Sequence, residues 1–239
     1  MKVAIIIIIV IIFVIVGVIG ISIFISNYTE KKYTNHGHKS GTQVGGEGKT
    51  RFFMAANERA GKVGEINTNI NLLSLLKEDE YLLANLLIPL KSGYKAEIDA
   101  VLITRKGIFC VETKNWVGHI YGFDEDDVWI QKYDDKYKGN RQHPNPIKQN
   151  EAHCEILERK LLNKYYVENV VIFPFLQYPQ ELQSKLVFTI VQFKEYYDGL
   201  ESDKISERDL IIIKNMLEPF KATDEQLKKH AEEVRNRYN

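Results

Sequence analysis

The sequence lacks an excess of charge of either sign and has little cysteine. Lysine and arginine together number 32, and so do aspartate and glutamate, so no global basicity points to nucleic acid. A local basic patch could still bind it. The two cysteines, Cys110 and Cys154, are too few for a disulfide scaffold, and nothing in the chain demands an oxidising compartment. Cys110 lies in an apolar run, which is typical of a small buried side chain.

The segment from Val3 to Ile25 lacks charged residues and consists mostly of isoleucine, valine and phenylalanine. As a helix it spans about 34 Å, which is enough to cross a hydrocarbon core of about 30 Å. The segment is longer than the apolar part of a cleaved signal peptide, and no A-x-A-like site ends it. We therefore predict a single transmembrane anchor over residues 1–26.

The charges on either side of this anchor indicate its orientation. Only Lys2 and the terminal amine precede it, whereas several cations follow it: Lys31, Lys32, Lys39, Lys49 and Arg51. The positive-inside rule then predicts a single-pass protein of the cell membrane whose C-terminal domain is cytoplasmic. The opposite, signal-anchor orientation remains an alternative.

Residues 27–56 are polar and glycine-rich, which predicts a flexible juxtamembrane linker. Within them GGEGKT, residues 45–50, ends like a phosphate-binding P-loop. The first glycine of that motif would fall at Gln43, and no apolar strand precedes it. A linker is therefore favoured over a nucleotide site.

The remaining chain alternates helical and extended patterns. A helix is predicted from Asn57 to Leu76, with one apolar stripe formed by Val63, Ile66, Ile70 and Leu73. Short apolar runs predict strands at residues 81–88, 97–104, 108–114, 118–122, 128–131, 170–173 and 186–191. Helical spacing recurs at residues 150–162, 206–217 and 223–237. This order predicts an α/β or α+β domain over residues 57–200, with a C-terminal helical region, residues 201–239, packing on it.

The stretch IDAVLITRKGIFCVETKNW, residues 98–116, reads as a β-hairpin. A tight turn at residues 105–106 places Asp99 opposite Glu112, with Cβ atoms about 4.5–5.5 Å apart. Lys114 is two residues beyond Glu112 and therefore points to the same face. Two carboxylates and an ammonium group are thus predicted at one spot of the sheet.

Two facing carboxylates repel each other and destabilise a plain strand pair. A divalent cation between them would turn the repulsion into a binding site, since Mg²⁺ commonly takes one or two carboxylates and completes its shell with water. A nearby lysine could orient or deprotonate that water, which suits phosphodiester hydrolysis. The alternative is a solvated strand face with an ion pair. The apolar residues on both sides of the charges favour a site, because such runs indicate strands buried on both faces.

Four blocks of the sequence resemble the nuclease-related domain (NERD) family. They are GKVGE at 61–65, IDAVLIT at 98–104, GIFCVETKNWVGHIYG at 107–122 and NPIKQN at 145–150. The family is assigned to the PD-(D/E)xK superfamily of restriction-endonuclease-like folds. The resemblance therefore implies a mixed sheet flanked by helices, over about residues 58–175, and an Mg²⁺ (or Mn²⁺) cofactor.

The resemblance also implies roles for individual residues. Asp99 would be the principal metal ligand, and Glu112 and Lys114 would form the E-x-K pair. Glu65 would be the acid of the first helix that contacts the metal directly or through water. Gln149 would be the polar residue of the following helix that supports the site. Isoleucine stands before Asp99 where the family pattern has proline, which leaves the ligand itself in place.

Two functions follow as hypotheses. The first is a membrane-anchored, metal-dependent nuclease-like domain acting on nucleic acid, with DNA favoured over RNA. The second is a non-catalytic, membrane-tethered module that binds nucleic acid or protein on a nuclease-like fold. A basic loop that alternates with tyrosines could contact phosphates, although a solvated loop is favoured; its cations are Lys132, Lys136, Lys138 and Arg141. Trp116 and Trp129 could stack on bases, but packing is favoured for both.

Overall fold

The structure is a computed structural model that describes residues 46–134 and 139–238. The predicted anchor, residues 1–26, and most of the predicted linker lie outside the described residues. Within the described ranges, no helix combines the length and the apolar character needed to cross a bilayer.

Helices and strands alternate along this part of the chain. The helices are α1 (Gly46–Leu73), α2 (Pro146–Lys160), α3 (Ile190–Asp198), α4 (Glu207–Leu217) and α5 (Asp224–Tyr238). The strands are β1 (Tyr81–Pro89), β2 (Lys95–Thr104), β3 (Gly107–Thr113), β4 (His119–Tyr121), β5 (Val128–Lys132), β6 (Arg141–Pro144), β7 (Val167–Ile172) and β8 (Val187–Phe188).

The strands form one mixed sheet and one small antiparallel sheet. The larger sheet has the order β1-β2-β3-β7-β8, in which β1, β2 and β3 are antiparallel and β7 and β8 run parallel to β3. The smaller sheet has the order β4-β5-β6. The predicted α+β architecture, a mixed sheet flanked by helices, is confirmed.

The central hairpin has the predicted register. Thr104 pairs with Gly107, and the ladder continues to the pair Ala100 and Val111. The next position in that register sets Asp99 opposite Glu112. Every residue of β3 except its last is buried, because apolar clusters cover both faces of the sheet.

Helices supply these two apolar layers. One layer contains Cys154, Leu157 and Leu161 of α2 together with residues of α4, against the face that also carries Glu112. The other layer is built from α3 and the end of α1, through Phe193, Tyr197 and Leu72. Since both faces are covered, the continuous apolar runs of β2 and β3 are explained by burial on both sides.

Two element boundaries differ from the predicted ones because of capping. Helix α2 begins at Pro146 rather than at Asn150, since the Asn145 side chain accepts a hydrogen bond from the backbone N–H of Ile147 (2.9 Å). The predicted strand at residues 186–191 stops early, since Thr189 and Gln192 form a capping box that starts α3.

Helix α1 differs from its prediction both in where it begins and in which of its faces packs on the domain. It begins at Gly46, so its first residues lie in the predicted linker. Its apolar stripe faces outward: Val63, Ile66, Ile70 and Leu73 are 55%, 53%, 62% and 55% exposed. The face that packs on the domain carries Gly64, Thr68 and Leu72 instead.

Gly64 lets α1 approach the end of β3. A Cβ atom at this glycine would lie 2.8 Å from Cβ of Asn115, and the Asn115 side chain donates a hydrogen bond to the carbonyl of Ala60 (2.6 Å). A Cβ atom at Gly61 would meet nothing within 4 Å. Of these two glycines, only Gly64 is therefore needed for the close contact between α1 and Asn115.

The two glycines make a matched pair for a stability test. Gly61→Ala should stabilise the protein, since alanine is favoured over glycine in a helix by up to about 1 kcal/mol. Gly64→Ala gains the same propensity but meets Asn115, and overpacking costs about 1–3 kcal/mol. We expect urea unfolding of the detergent-solubilised chain to rank Gly64→Ala below Gly61→Ala by that amount. Equal stabilisation of the two variants would contradict the close packing.

Candidate active site

The charged residues of the hairpin meet α2 at the end of β3. Glu112, 3% exposed, lies just before the end of this strand. Lys114 Nζ donates to Glu112 Oε1 (2.6 Å) and to Gln149 Oε1 (3.1 Å). Gln149 Nε2 in turn donates to the same Glu112 oxygen (2.9 Å). The three side chains thus form a closed hydrogen-bonded triangle, and the predicted common face of Glu112 and Lys114 is confirmed.

Asp99 lies where β2 and β3 part. Its Oδ2 accepts a hydrogen bond from the backbone N–H of Thr113 (2.8 Å), just beyond the last pair of the β2–β3 ladder. The N–H of Lys114 donates to Ile172 of β7 instead (2.9 Å). The carboxylate therefore replaces a strand partner at this point, which fixes one of its oxygens.

The ladder is interrupted on the other side of Asp99 as well. In the β1–β2 register Asn85 stands opposite Asp99. The neighbouring pairs on both sides belong to the ladder, but the pair of Asn85 and Asp99 does not. Asn85 has a φ of 58°, in the left-handed region, and its carbonyl accepts from the N–H of Ala222 (2.8 Å). Asparagine tolerates that conformation better than most residues. The backbone around Asp99 is thus irregular on both neighbouring strands.

The acidic residues disturb one another's ionisation. Burial raises the pKa of Asp99 well above its ordinary value, and the charges of Glu112 and Glu65 raise it further. Burial also raises the pKa of Glu65, with the charge of Glu97 adding to the effect. The pKa of Glu97 is raised by burial and by Glu112. Four carboxylates on α1, β2 and β3 therefore share one electrostatic environment.

Glu112 behaves differently from its neighbours. Burial raises its pKa, but His153 and Lys114 outweigh burial and hold the pKa below its ordinary value. Glu112 Oε2 is buried without a hydrogen-bond partner, and His153 Nδ1, also buried and unpartnered, lies 3.5 Å away. Glu112 thus remains a carboxylate with one oxygen committed to the triangle and the other unpaired.

Sequence reasoning missed two members of this cluster. The sequence indicates only that His153 belongs to the predicted helix at residues 150–162, yet its side chain is 12% exposed and lies 3.5 Å from Glu112. It stands one helical turn after Gln149, so the spacing would have placed both on one face of α2. Glu97 stands two residues before Asp99, so strand alternation would have placed both on one face of β2.

A buried asparagine holds α2 in place. Asn150 Nδ2 donates to the carbonyl of Cys110 (2.9 Å) and to that of Val170 (3.1 Å), which joins the helix to β3 and β7. Gln149 and His153 therefore reach Glu112 from a fixed helix. Asn150, where the predicted helix begins, therefore lies inside α2, which Asn145 caps.

The aromatic and basic candidates lie around the smaller sheet. Trp129 is buried, so its predicted packing role is confirmed. Trp116 stacks on His143, with ring centroids 4.1 Å apart. Of the basic loop, residues 135–138 lie outside the described residues; Arg141 lies over the ring of Tyr133, 5.7 Å from its centroid.

The donor atoms of this cluster are of the type that binds Mg²⁺ or Mn²⁺, but they are not arranged around a common point. Unpaired carboxylate oxygen is the ligand that Mg²⁺ and Mn²⁺ prefer, and Glu112 Oε2 is such an atom. Asp99 and Glu65 are the other donors of that type. The charge of Glu65 raises the pKa of Asp99, and the charge of Glu112 raises the pKa of both. Across the described ranges, however, no group of three or more His, Cys, Asp or Glu side chains is arranged to hold an ion.

An α+β domain with acidic residues and a lysine gathered at the end of a central strand presents a candidate active site. Residues 60–174 match the family model of the nuclease-related domain. This part of the chain, which contains all five predicted site residues, therefore belongs to the NERD family.

The curated relatives add no activity. An uncharacterized protein of Bacillus anthracis is 33% identical over 98 residues. The match covers 41% of this chain and 45% of the relative, so the chain spans less than half of that protein's length. No solved structure matches the chain.

The raised pKa of Asp99 predicts an unusual pH dependence of stability. In metal-free buffer the folded carboxyl keeps its proton to a higher pH than the unfolded chain does, whose ordinary value is 3.8. The free energy of unfolding should therefore fall as the pH rises above 3.8 towards the folded pKa. Asp99→Asn removes this titration while keeping an acceptor for Thr113, so we expect it to stabilise the protein at neutral pH.

Asp209→Asn is the control of opposite sign. Hydrogen bonds from Ser206 and Tyr165 lower the pKa of Asp209, so its ionised form stabilises the fold above its ordinary pKa, and this stabilisation is lost as the pH falls through the folded value. Urea unfolding from pH 4 to pH 8 with a chelator present should separate the two variants. A destabilised Asp99→Asn protein at neutral pH would refute the buried-acid interpretation.

Proposed function

We propose that the chain is a membrane-anchored, divalent-metal-dependent nuclease that hydrolyses phosphodiester bonds, with DNA favoured over RNA. The observation that carries the proposal is the hydrogen-bonded triangle that the buried Glu112 forms with Lys114 and Gln149, beside the perturbed Asp99 carboxyl. Perturbed acids gathered at one place are typical of functional sites. Membership of residues 60–174 in the nuclease-related family supports the same function, and we propose a restriction-endonuclease-like fold for the domain.

The proposed roles follow from the chemistry of each side chain. Asp99, Glu112 and Glu65 would hold Mg²⁺ or Mn²⁺, which when bound supplies a Lewis acid and a more acidic water. Lys114 would orient the attacking water or stabilise charge on the phosphate oxygens. Its Nζ is held by two acceptors, so its position is already defined. Gln149 positions both Lys114 and Glu112.

The membrane part of the proposal comes from the sequence. The uncharged segment Val3–Ile25 would cross the bilayer once, and the excess of cations after it would keep the domain in the cytoplasm. A nuclease tethered in this way would act on nucleic acid close to the membrane surface.

A binding module without catalysis is the second candidate. Two observations favour it: Glu112 Oε1 already accepts from Lys114 and Gln149, and the described part of the chain holds no arranged group of three metal donors. Such a module would keep the fold and the acidic cluster without turnover.

The nuclease proposal is tested by cleavage of labelled DNA and RNA with the full chain in vesicles, with Mg²⁺, Mn²⁺ or a chelator. Asp99→Asn and Lys114→Met should each lower the cleavage rate by about 10²–10⁴-fold, the usual scale for losing a group that handles protons. Glu155→Gln is the matched control, since this acid is an exposed residue of α2 paired only with Arg159 (3.2 Å). It should leave the rate unchanged.

Metal binding is measured separately from cleavage. A metal that binds only the folded protein stabilises it by about 2.7 kcal/mol at one hundred times its dissociation constant. We expect this stabilisation in the parent protein and in Glu155→Gln but not in Asp99→Asn. A parent that shows neither cleavage nor stabilisation by metal would refute the nuclease. Nucleic-acid binding that survives in Asp99→Asn would then favour the binding module.

A further inference from the structure

Helix α1 carries its apolar residues on the side away from the domain. The packed face contains Gly64, Thr68 and Leu72, which are buried. The outer stripe consists of Val63, Ile66, Ile70 and Leu73, each more than half exposed. At about 100° per residue the centre of the stripe lies opposite the centre of the packed face. A helix of this kind needs a second apolar surface outside its own domain.

The spacing within the stripe indicates what that surface is. The four residues are separated by three, four and three positions, which is the a and d pattern of a coiled coil. The a positions, Val63 and Ile70, are β-branched, and Ile66 and Leu73 occupy the d positions. β-branched residues at a with leucine at d favour two-stranded parallel coiled coils; Leu73 follows this pattern, whereas Ile66 departs from it.

The flanks of the stripe also favour a protein partner over a lipid surface. A stripe limited to a and d positions is narrow, whereas a helix lying on a membrane has a broad apolar face bordered by many cations. The residues bordering the stripe at e and g positions are Lys62, Asn67, Asn69 and Ser74. Only Lys62 among them is charged, and it lies 3.7 Å from Asp224 of its own chain. These flanking residues would add little charge repulsion between two identical helices, and Arg59, at the d position before Val63, limits the seam to the four apolar residues.

We propose that the outer stripe of α1 is the interface between two copies of this chain, paired as a short parallel coiled coil. The parallel direction rests on the proposed membrane anchor, since both copies would then enter α1 from the same bilayer. Tethering two copies to one membrane raises their effective concentration, so a seam of four residues can suffice. The pairing itself does not depend on nuclease activity.

Cysteine cross-linking in the full chain, reconstituted at low protein density in vesicles, tests the interface. In a parallel pair the d positions of the two copies face each other, so Ile66→Cys should form an intermolecular disulfide with a mild oxidant. The parent protein controls for Cys110 and Cys154, which are buried. Ile211→Cys on α4 is the matched control, because Ile211 is also exposed (47%) but belongs to another surface.

The orientation and the strength of the pairing are tested with further variants. In a parallel pair Val63→Cys should cross-link with itself, and it should not cross-link with Leu73→Cys. Ile70→Lys places a charge in the seam and, combined with Ile66→Cys, should lower the yield of cross-linked dimer in the same vesicles by about tenfold or more. Ile70 is 62% exposed, so the variant should still fold, which circular dichroism checks.

Other occupants of the stripe give different results. If the lipid covers it, Ile66→Cys will cross-link no better than Ile211→Cys and will be shielded from aqueous maleimide only in vesicles. If another segment of the same chain covers it, the thiol will be shielded in detergent without any dimer. Either result would overturn the proposal, as would an Ile66→Cys protein carrying Ile70→Lys that cross-links as well as Ile66→Cys alone in vesicles.

Discussion

The ionised carboxyl of Glu112, buried in an apolar sheet, is the constraint on which the rest of the site depends. A buried charge is costly unless it is paired and hydrogen-bonded. Here Lys114 directly follows the strand of Glu112, whereas Gln149 and His153 come from α2, which must therefore dock against β3 in one position. Asn150 fixes that position through two backbone carbonyls. The docking of α2 on β3 therefore also supplies the polar groups that compensate the buried Glu112 carboxylate.

The local part of this arrangement could be predicted from the sequence, and the non-local part could not. The two-residue turn and strand alternation determine that Asp99 faces Glu112 and that Lys114 shares their face, and β3 follows that register. The approach of His153 to Glu112 depends on how α2 packs on the sheet. A short sequence pattern does not predict the rotation of a helix about its own axis. The start of α2 was predicted at Asn150, whereas Asn145 caps the helix and α2 begins at Pro146.

Helix α1 shows why an apolar stripe alone does not locate a core. Helical spacing at Val63, Ile66 and Ile70 predicts the helix but does not predict which of its faces packs on the domain. The face that contains Gly64 packs on the domain, because only a residue without a side chain allows the helix backbone to approach Asn115. Close approach there sets Glu65 within the electrostatic reach of Asp99 and Glu112. The contact that completes the acidic cluster therefore also leaves the apolar stripe facing outward.

The surroundings of Asp99 combine several features that cost stability. Its carboxyl is buried among like charges, its ladder is broken towards both neighbouring strands, and Asn85 opposite it adopts a left-handed backbone. A strand selected for stability alone would carry an apolar residue and an unbroken ladder here, as β2 does at the next three positions towards the turn. Conformations and charges of this kind persist where function requires them and the surrounding structure is stable enough to hold them. The apolar layers on both faces of the sheet supply that stability, so the same burial that raises the pKa of Asp99 also holds it in place.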